Sequence, residues 1–202
     1  MILRNYNWNF VNCLPSSFCD DVIAYGNTKR QISAGIAGES LTTKEDLSDK
    51  DLHVRRKSNV AWLNDWWIYR HLKPLVSIAN TNAGWNFETH MHEAIQFTKY
   101  VDNGHYDYHA DMHEAPHNSL HIPEYIGKVR KLSMTVPLVD GSEYEGGDFV
   151  IQTPGGVEVV IKEARQKGAV IVFPSFVQHK VTPVTSGTRY SLVMWTLGWP
   201  FK

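Results

Sequence analysis

Residues 130–151 of the chain read RKLSMTVPLVDGSEYEGGDFVI. Residues 132–138 are rich in apolar and β-branched side chains, and a second run of this kind covers 148–152. The dipeptides Asp140-Gly141 and Gly146-Gly147 lie between the two runs and are typical of tight turns. The stretch therefore predicts two short strands joined by turns.

Short apolar runs recur on both sides of this stretch. Turn-forming residues at 103–104, 154–156 and 186–187 separate them. The runs cover residues 94–101, 106–111, 157–161, 169–173, 178–181 and 190–197. Together with the first two, they give eight short strands, which predict a double-sheet jelly roll.

The N-terminal part of the chain has a helical pattern. A first helix is predicted over 15–27, with Ser16 or Ser17 as its cap and two aspartates in its first turn. A second helix is predicted over 65–80, where Pro74 is expected to cause a kink or a break.

Residues 34–53 are polar and predict a long exposed loop, and 54–63 predict a strand. We therefore expect one domain over 1–202, in which a helical support region (1–93) packs on a jelly-roll core (94–202). The fold class is α+β and mostly β.

Composition and charge limit the range of functions. The 43% hydrophobic and 20% charged residues are ordinary for a globular protein. A net charge of −1 provides no overall basic field, which argues against nucleic acid or an anionic membrane as partner. The chain has no apolar run long enough for a secretory signal or a membrane span. Cys13 and Cys19 could form a disulfide, but we expect free thiols and a cytoplasmic location.

His109, Asp111 and His179 form the pattern His-x-Asp…His, called here the facial triad. Two histidines and one carboxylate are the ligand set of non-haem Fe(II) oxygenases. Residues two apart on an extended strand point to the same side, so His109 and Asp111 can bind one ion. A third ligand from a distant strand leaves three coordination positions for a co-substrate and O2.

Arg189 follows His179 by ten residues, and Ser191 follows in the pattern Arg-x-Ser. A buried guanidinium near an iron site suits a dicarboxylate, because its fork pairs with a carboxylate bidentately. Taken singly, His179 would also fit a core histidine, and Arg189 a structural ion pair.

In these motifs the chain resembles the 2-oxoglutarate/Fe(II) dioxygenases of the prolyl 4-hydroxylase and PKHD type. Residues 144–149, YEGGDF, match the signature Y-x-G-G-[ED]-[LF]. Residues 179–195, HKVTPVTSGTRYSLVMW, are similar to the H-x-V-x-P-V-x-x-G-x-R block that ends in Trp. Tyr100 precedes His109 by nine residues and falls where the family places a co-substrate-binding tyrosine. The resemblance covers about half of the chain.

The resemblance implies a double-stranded β-helix, with Fe(II) held by the facial triad. It also implies 2-oxoglutarate anchored at its far carboxylate by Arg189, with help from Tyr100 and Ser191, and it allows ascorbate as a further cofactor. The expected reaction consumes O2, releases succinate and CO2, and hydroxylates an unactivated C–H bond. Asp111 favours hydroxylation over halogenation, because the halogenases of the family lack this carboxylate.

The expected substrate is a prolyl or other side chain of a peptide or protein. A free amino acid or small metabolite is the alternative within the same chemistry. Nucleobase repair is disfavoured by the single suitable arginine after His179 and by the net charge. A non-catalytic, cupin-like binding module is the alternative of a different class.

His113, His117 and His121 recur at four-residue intervals. On a helix they could bind an accessory metal, but two prolines argue against a regular helix. We expect residues 112–127 to be an active-site loop that shapes the substrate entrance together with the loop at 34–53.

Overall fold

The structure is a computed structural model that describes residues 3–34 and 55–202. Its helices in these ranges are α1 (Ser16–Thr28) and α2 (Trp66–Asn82). Its strands are β1 (Trp8–Phe10), β2 (Ile32–Ser33), β3 (Arg56–Lys57), β4 (Asn59–Leu63), β5 (Met91–His92), β6 (Ile95–Tyr100), β7 (His105–His109), β8 (Val129–Pro137), β9 (Tyr144–Gly146), β10 (Phe149–Gln152), β11 (Glu158–Val160), β12 (Val170–Pro174), β13 (Gln178–Val181), β14 (Val184–Gly187) and β15 (Arg189–Gly198). The predicted mostly β class with N-terminal helices is confirmed.

Antiparallel pairing organises the strands into two main sheets. The larger sheet has the order β1-β12-β8-β15-β6-β4-β2, with β5 also paired to β15. The smaller sheet has the order β11-β10-β13-β7-β3, and β9 pairs with β14 in a separate ribbon. All eight runs predicted as strands are strands, within a few residues of the predicted bounds.

Side-chain alternation gives the larger sheet two chemically different faces. In β15, Leu192 and Met194 join the apolar core that the helices cover, whereas Ser191 and Val193 line a cavity on the opposite face. This helix-facing core includes Phe18, Val22, Ile68, Leu72, Phe97, Met134, Val170 and Leu192. A second core packs between the two sheets and includes Tyr106, Phe149, Ile151, Ile171, Phe173 and Val181. The helices thus cover the apolar face and leave the other face for the cavity.

The first helix begins where the sequence predicts, but its cap differs. Pro15 is the N-cap residue, with φ −60° and ψ 146°, and no side chain caps the helix. The predicted cap at Ser16 or Ser17 is therefore wrong, because the extended backbone of Pro15 precedes a helix that already includes both serines. The first turn also contains no acidic residue, so the predicted aspartates lie beyond it.

The second helix runs through Pro74 without a break. Proline removes one helical hydrogen bond, but Ile68, Leu72 and Val76 on one face of this helix are all buried. Burial of that face therefore outweighs the local cost of the proline.

The region 1–93, predicted as a helical support, also supplies strands β1–β5. The strand predicted over 54–63 is represented by β3 and β4. The loop predicted over 34–53 lies outside the described residues, apart from its first residue.

Cys13 and Cys19 are free thiols, as expected. Neither helix in the described ranges has the length and apolarity needed to cross a membrane.

Helix α1 packs closely against the larger sheet at Gly26. A Cβ atom added there would lie 2.7 Å from ring atoms of Phe97, which is fully buried. We expect Gly26→Ala to lower the free energy of unfolding by about 1–3 kcal/mol through overpacking, although alanine is favoured over glycine in helices by about 1 kcal/mol. Urea denaturation measures the change. Combining it with Phe97→Leu should recover part of the loss, whereas an equal loss in both backgrounds would exclude this contact as the cause.

Candidate metal centre

The facial triad converges because β7 and β13 are neighbours in the smaller sheet. His109 lies directly opposite His179 in the strand register. The Nε2 atom of His109 is 3.7 Å from Oδ1 of Asp111, and Nε2 of His179 is 3.6 Å from Oδ2. One ligand atom from each residue lies within 4.8 Å of the others, and no other such group of His, Cys, Asp or Glu occurs among the described residues.

A β-bulge in β7 orients His109 towards Asp111 and His179. The register pairs His179 with His109 and Val181 with Tyr106, so β7 carries one extra residue between the two pairs. Such a bulge re-aims side chains, and it lets residues three apart face the same cavity. The rings of Tyr106 and His109 consequently stack, with their centroids 3.5 Å apart.

Asp111 differs from its predicted position. It was expected on the same strand as His109, but β7 ends at His109 and Asp111 lies just beyond it. The i, i+2 spacing still brings the carboxylate within 3.7 Å of both histidines, with a bend in the chain at Asp111.

The hydrogen bonds of the two imidazoles fit them to hold a metal ion. Nδ1 of His109 donates to the carbonyl oxygen of Asp107 at 2.8 Å, and Nδ1 of His179 donates to that of Val177 at 3.0 Å. With the proton on Nδ1, each Nε2 presents a free lone pair. Oδ2 of Asp111 is buried without any hydrogen-bond partner, so a cation would satisfy it.

The charge states also suit a metal. Burial and the neighbouring His179 lower the pKa of His109, so its imidazole is neutral at neutral pH. Burial opposes ionisation of Asp111, but the neighbouring His179 and His109 rings and the Arg130 guanidinium lower the pKa of its carboxyl. Of these three groups, Arg130 carries a permanent charge. Neutral histidine and ionised aspartate are the forms that bind metals.

Arg189 is a buried cation with no acidic partner among the described residues. Its side chain is 1% exposed, and its Nε has no hydrogen-bond partner. Nη1 donates to Oγ of Ser191 at 3.1 Å, and Tyr100 lies directly opposite in the register, its ring centroid 5.3 Å from the guanidinium carbon. An unpaired buried charge is costly, so this arrangement suits an anionic ligand. The three residues predicted to bind a dicarboxylate thus lie together.

Gly147 makes room for Arg189. Its φ is +64°, and an added Cβ would lie 3.0 Å from Cδ of Arg189 and 2.9 Å from Cγ2 of Val184. Glycine avoids both the strained backbone and the contact. The Gly-Gly pair is a turn entering strand β10, as predicted.

One cavity of about 310 Å³ joins the two parts of the site. It is lined by the facial triad, Tyr100, Arg189 and Ser191, and also by Ile32, Ala34, Arg56, Val60, Trp62, Gln96, Tyr106, His113, Arg130, Thr135, Phe149, Phe173, Val181, Val193 and Trp195. The sequence analysis did not place most of these further lining residues at the site. Strand alternation could have indicated Val193 and Trp195, which follow Ser191 at intervals of two.

A buried ion pair supports the backbone of Asp111. Nε and Nη2 of Arg130 donate to the two carboxylate oxygens of Glu93 at 2.6 and 2.7 Å. Nη1 of the same guanidinium donates to the carbonyl oxygen of Asp111 at 3.3 Å. The pair therefore supports the chain at a candidate metal ligand.

The predicted active-site loop, 112–127, contains no α-helix, and its only short helical turn is at Pro123–Tyr125. His113 lines the cavity, whereas His121 is exposed. His117 lies 3.6 Å from the Glu93 carboxylate, so it has an acidic neighbour rather than two further histidines. The described residues therefore give the accessory metal site no support, and the loop's part in the substrate entrance stays a prediction.

The Glu93–Arg130 pair should make stability depend on acid pH. Burial alone would raise the pKa of Glu93, but the hydrogen bonds and charge of Arg130, with His117, lower it from 4.5 to about 2. This depressed pKa corresponds to about 3 kcal/mol, present above pH ~4.5 and lost as pH falls towards ~2. Glu93→Gln should therefore destabilise the protein by about this amount at pH 7, and by progressively less from pH 5 to pH 3. Chemical denaturation across this range measures the difference.

Glu88→Gln is the matched control, because Glu88 is exposed and its one ion pair within the described part of the chain is with His90. Exposed pairs contribute about 0–1 kcal/mol. A Glu93→Gln effect no larger than that of Glu88→Gln at pH 7, or one that grows as pH falls, would contradict the assigned role.

Residues 95–197, just over half of the chain, match the 2OG-Fe(II) oxygenase superfamily. A PKHD-type hydroxylase of Alteromonas mediterranea is 39% identical over 100 residues, which cover 49% of this chain and 41% of that protein. A PKHD-type hydroxylase of Hyphomonas neptunium is 34% identical over 103 residues, covering 50% and 42%. The chain thus spans about two fifths of the length of these curated relatives.

Solved structures share the fold over nearly the whole chain. A prolyl-4-hydroxylase of Pseudomonas putida superposes with a TM-score of 0.67 at 18% identity, covering 96% of this chain and 92% of that one. A prolyl hydroxylase of Trichoplax adhaerens, solved with a peptide fragment of hypoxia inducible factor, gives 0.69 at 15% identity, covering 96% and 84%. The family match covers over half of the chain, including the strands that carry His109, His179 and Arg189. The chain therefore belongs to the 2OG-Fe(II) oxygenase superfamily.

Proposed function

We propose that this chain is a single-domain, jelly-roll dioxygenase that uses Fe(II) and 2-oxoglutarate to hydroxylate an unactivated C–H bond. One observation carries the proposal. A buried His-Asp-His group with an unsatisfied carboxylate oxygen shares a cavity with a buried arginine that has no acidic partner among the described residues. When bound, the metal and co-substrate supply the oxidising chemistry, with release of succinate and CO2.

Each protein group has a positional role. The facial triad would hold the metal through two Nε2 atoms and the Asp111 carboxylate, leaving one side of the ion open to the cavity. Arg189 would bind the far carboxylate of 2-oxoglutarate through its fork, with Ser191 orienting the guanidinium and Tyr100 covering it. Ascorbate is included as a reductant to be tested, since only the family resemblance suggests it.

The charges of the cavity favour a substrate carried on a peptide or protein, such as a prolyl side chain. Asp111 is the only carboxylate among the described lining residues, and it would bind the metal. The ammonium group of a free amino acid would therefore lack a partner there. Arg130 is already paired with Glu93 in a bidentate ion pair, so it is not an open site for a substrate carboxylate. The peptide bound to the Trichoplax relative agrees with this choice by analogy of fold.

Removal of a triad side chain should abolish metal binding and turnover together. We expect His109→Ala, Asp111→Ala and His179→Ala each to weaken anaerobic Fe(II) binding by more than about 100-fold, since changes even at groups around the ligands cost about 10–100-fold. Calorimetry with Fe(II), and succinate formation from 2-oxoglutarate, measure the two effects. His90→Ala, at an exposed histidine outside the cavity, is the control. A triad variant that keeps wild-type metal affinity would remove that residue from the site, and a wild-type chain that binds Fe(II) and 2-oxoglutarate without forming succinate would indicate a binding module.

Arg189 should govern the co-substrate rather than the metal. Arg189→Ala removes charge-assisted hydrogen bonds worth about 1.5–3 kcal/mol, so the concentration of 2-oxoglutarate needed for half-maximal turnover should rise about 10- to 100-fold. Arg189→Lys should recover only part of this, because an ammonium group cannot bind bidentately. Steady-state kinetics at varied 2-oxoglutarate and varied Fe(II) separate the two requirements. An unchanged 2-oxoglutarate dependence in both variants would contradict the assignment.

A further inference from the structure

Trp62 lies at the mouth of the cavity. Alternation along β4 places Ala61 and Leu63 in the helix-facing core, whereas Val60 and Trp62 line the cavity. Although it belongs to the lining, the Trp62 side chain is 48% exposed. Its ring therefore forms part of the rim, where it contacts both solvent and the cavity.

Trp62 is the outer member of an aromatic pair. The ring centroid of Trp195 lies 6.1 Å away at an interplanar angle of 44°, and Trp195 is only 5% exposed. The guanidinium carbon of Arg130 lies 3.8 Å from the centroid of Trp195, and Arg130 is itself held by Glu93. Trp195 is thus fixed from within, and Trp62 extends this fixed surface towards solvent.

The exposed lining residues beside Trp62 are apolar, whereas its polar cross-strand neighbour Gln96 is buried. Ile32 also lines the cavity and is exposed, and Val60 lies beside it on the neighbouring strand β4. The described residues place no carboxylate on this rim. An aromatic surface of this kind gains most from covering an uncharged ring or apolar side chain, whose burial removes both surfaces from water.

Trp62 and the anion end of the cavity are separated along the larger sheet. Through Gln96, Trp62 is level with Val193, which is four residues from Arg189 on β15, or about 14 Å along an extended strand. A change at Trp62 therefore acts at the end of the cavity away from the group assigned to 2-oxoglutarate.

We propose that Trp62 is a specificity-determining residue, which holds an uncharged ring or apolar side chain of a chain-borne substrate at the cavity mouth. The inference rests on the proposed function and refines it by naming the chemistry that the mouth selects. Aromatic anchors of this kind often dominate binding, and truncating one typically weakens affinity by about 30-fold or more.

The test is a binding measurement on protein loaded with Mn(II) and 2-oxoglutarate, so that no turnover occurs. The probes are capped tripeptides with proline, leucine, phenylalanine or glutamate at the centre, titrated by calorimetry. The wild-type chain should bind at least one uncharged probe and prefer it to the glutamate probe. Trp62→Ala should weaken that binding about 30-fold, and Trp62→Phe should weaken it less, because it keeps an aromatic face.

Trp66→Ala is the matched control. Trp66 is 68% exposed at the start of α2, contacts Lys73 and does not line the cavity, so its removal should leave probe binding unchanged. The affinity for 2-oxoglutarate should be the same in all variants, which also confirms that they are folded.

The outcomes separate the two proposals. Equal probe binding by wild type and Trp62→Ala, a preference for the glutamate probe, or no binding of any uncharged probe would overturn the role of Trp62 while 2-oxoglutarate binding persists. Failure of the wild-type chain to bind Mn(II) and 2-oxoglutarate would instead overturn the proposed function, and this inference with it.

Discussion

The site depends on the backbone pairing that sets His109 opposite His179 across β7 and β13. Strand side chains alternate between faces, so a slip of one residue would turn one histidine away from the other. The register is held from both sides, because β13 also pairs with β10, where Ile151 lies opposite His179. The extra residue in β7 then adjusts His109 without disturbing this pairing. The candidate metal centre is therefore a consequence of sheet register first and of side-chain chemistry second.

The sheets also hold polar groups that the protein alone leaves unsatisfied. Oδ2 of Asp111 and Nε of Arg189 are buried without hydrogen-bond partners, and such groups are destabilising in a closed interior. The apolar core between the helices and the larger sheet provides the stability that offsets them. This division explains why the apolar side chains of β15 face the helices while Arg189 and Ser191 face the cavity. Stability and ligand binding are assigned to opposite faces of one strand.

Much of this arrangement could be predicted from local sequence. The eight principal strands follow from short apolar runs between turns, and the facial triad and Arg189 follow from spacing and from the family resemblance. Strands β1, β2, β5 and β9 could not be found, because runs of two or three residues carry no measurable alternation, and β14 ends in a glycine that indicated only a turn. The Glu93–Arg130 pair was also invisible, since its members are distant in sequence and meet only through the pairing of β5, β8 and β15. The serine cap was predicted wrongly because Pro15 offered an extended backbone that sequence preference alone does not weigh.

The guanidinium of Arg130 contacts both the backbone of Asp111 and the aromatic wall of the cavity. One of its nitrogens is bonded to the carbonyl oxygen of Asp111, and its face rests on the ring of Trp195. A shift of the Trp195 ring would also displace the guanidinium that is hydrogen-bonded to the backbone of Asp111. Arg130 thus links the inner wall of the cavity to the candidate metal centre, and a substitution at Trp195, unlike one at the outer ring of Trp62, should reach Asp111 through it.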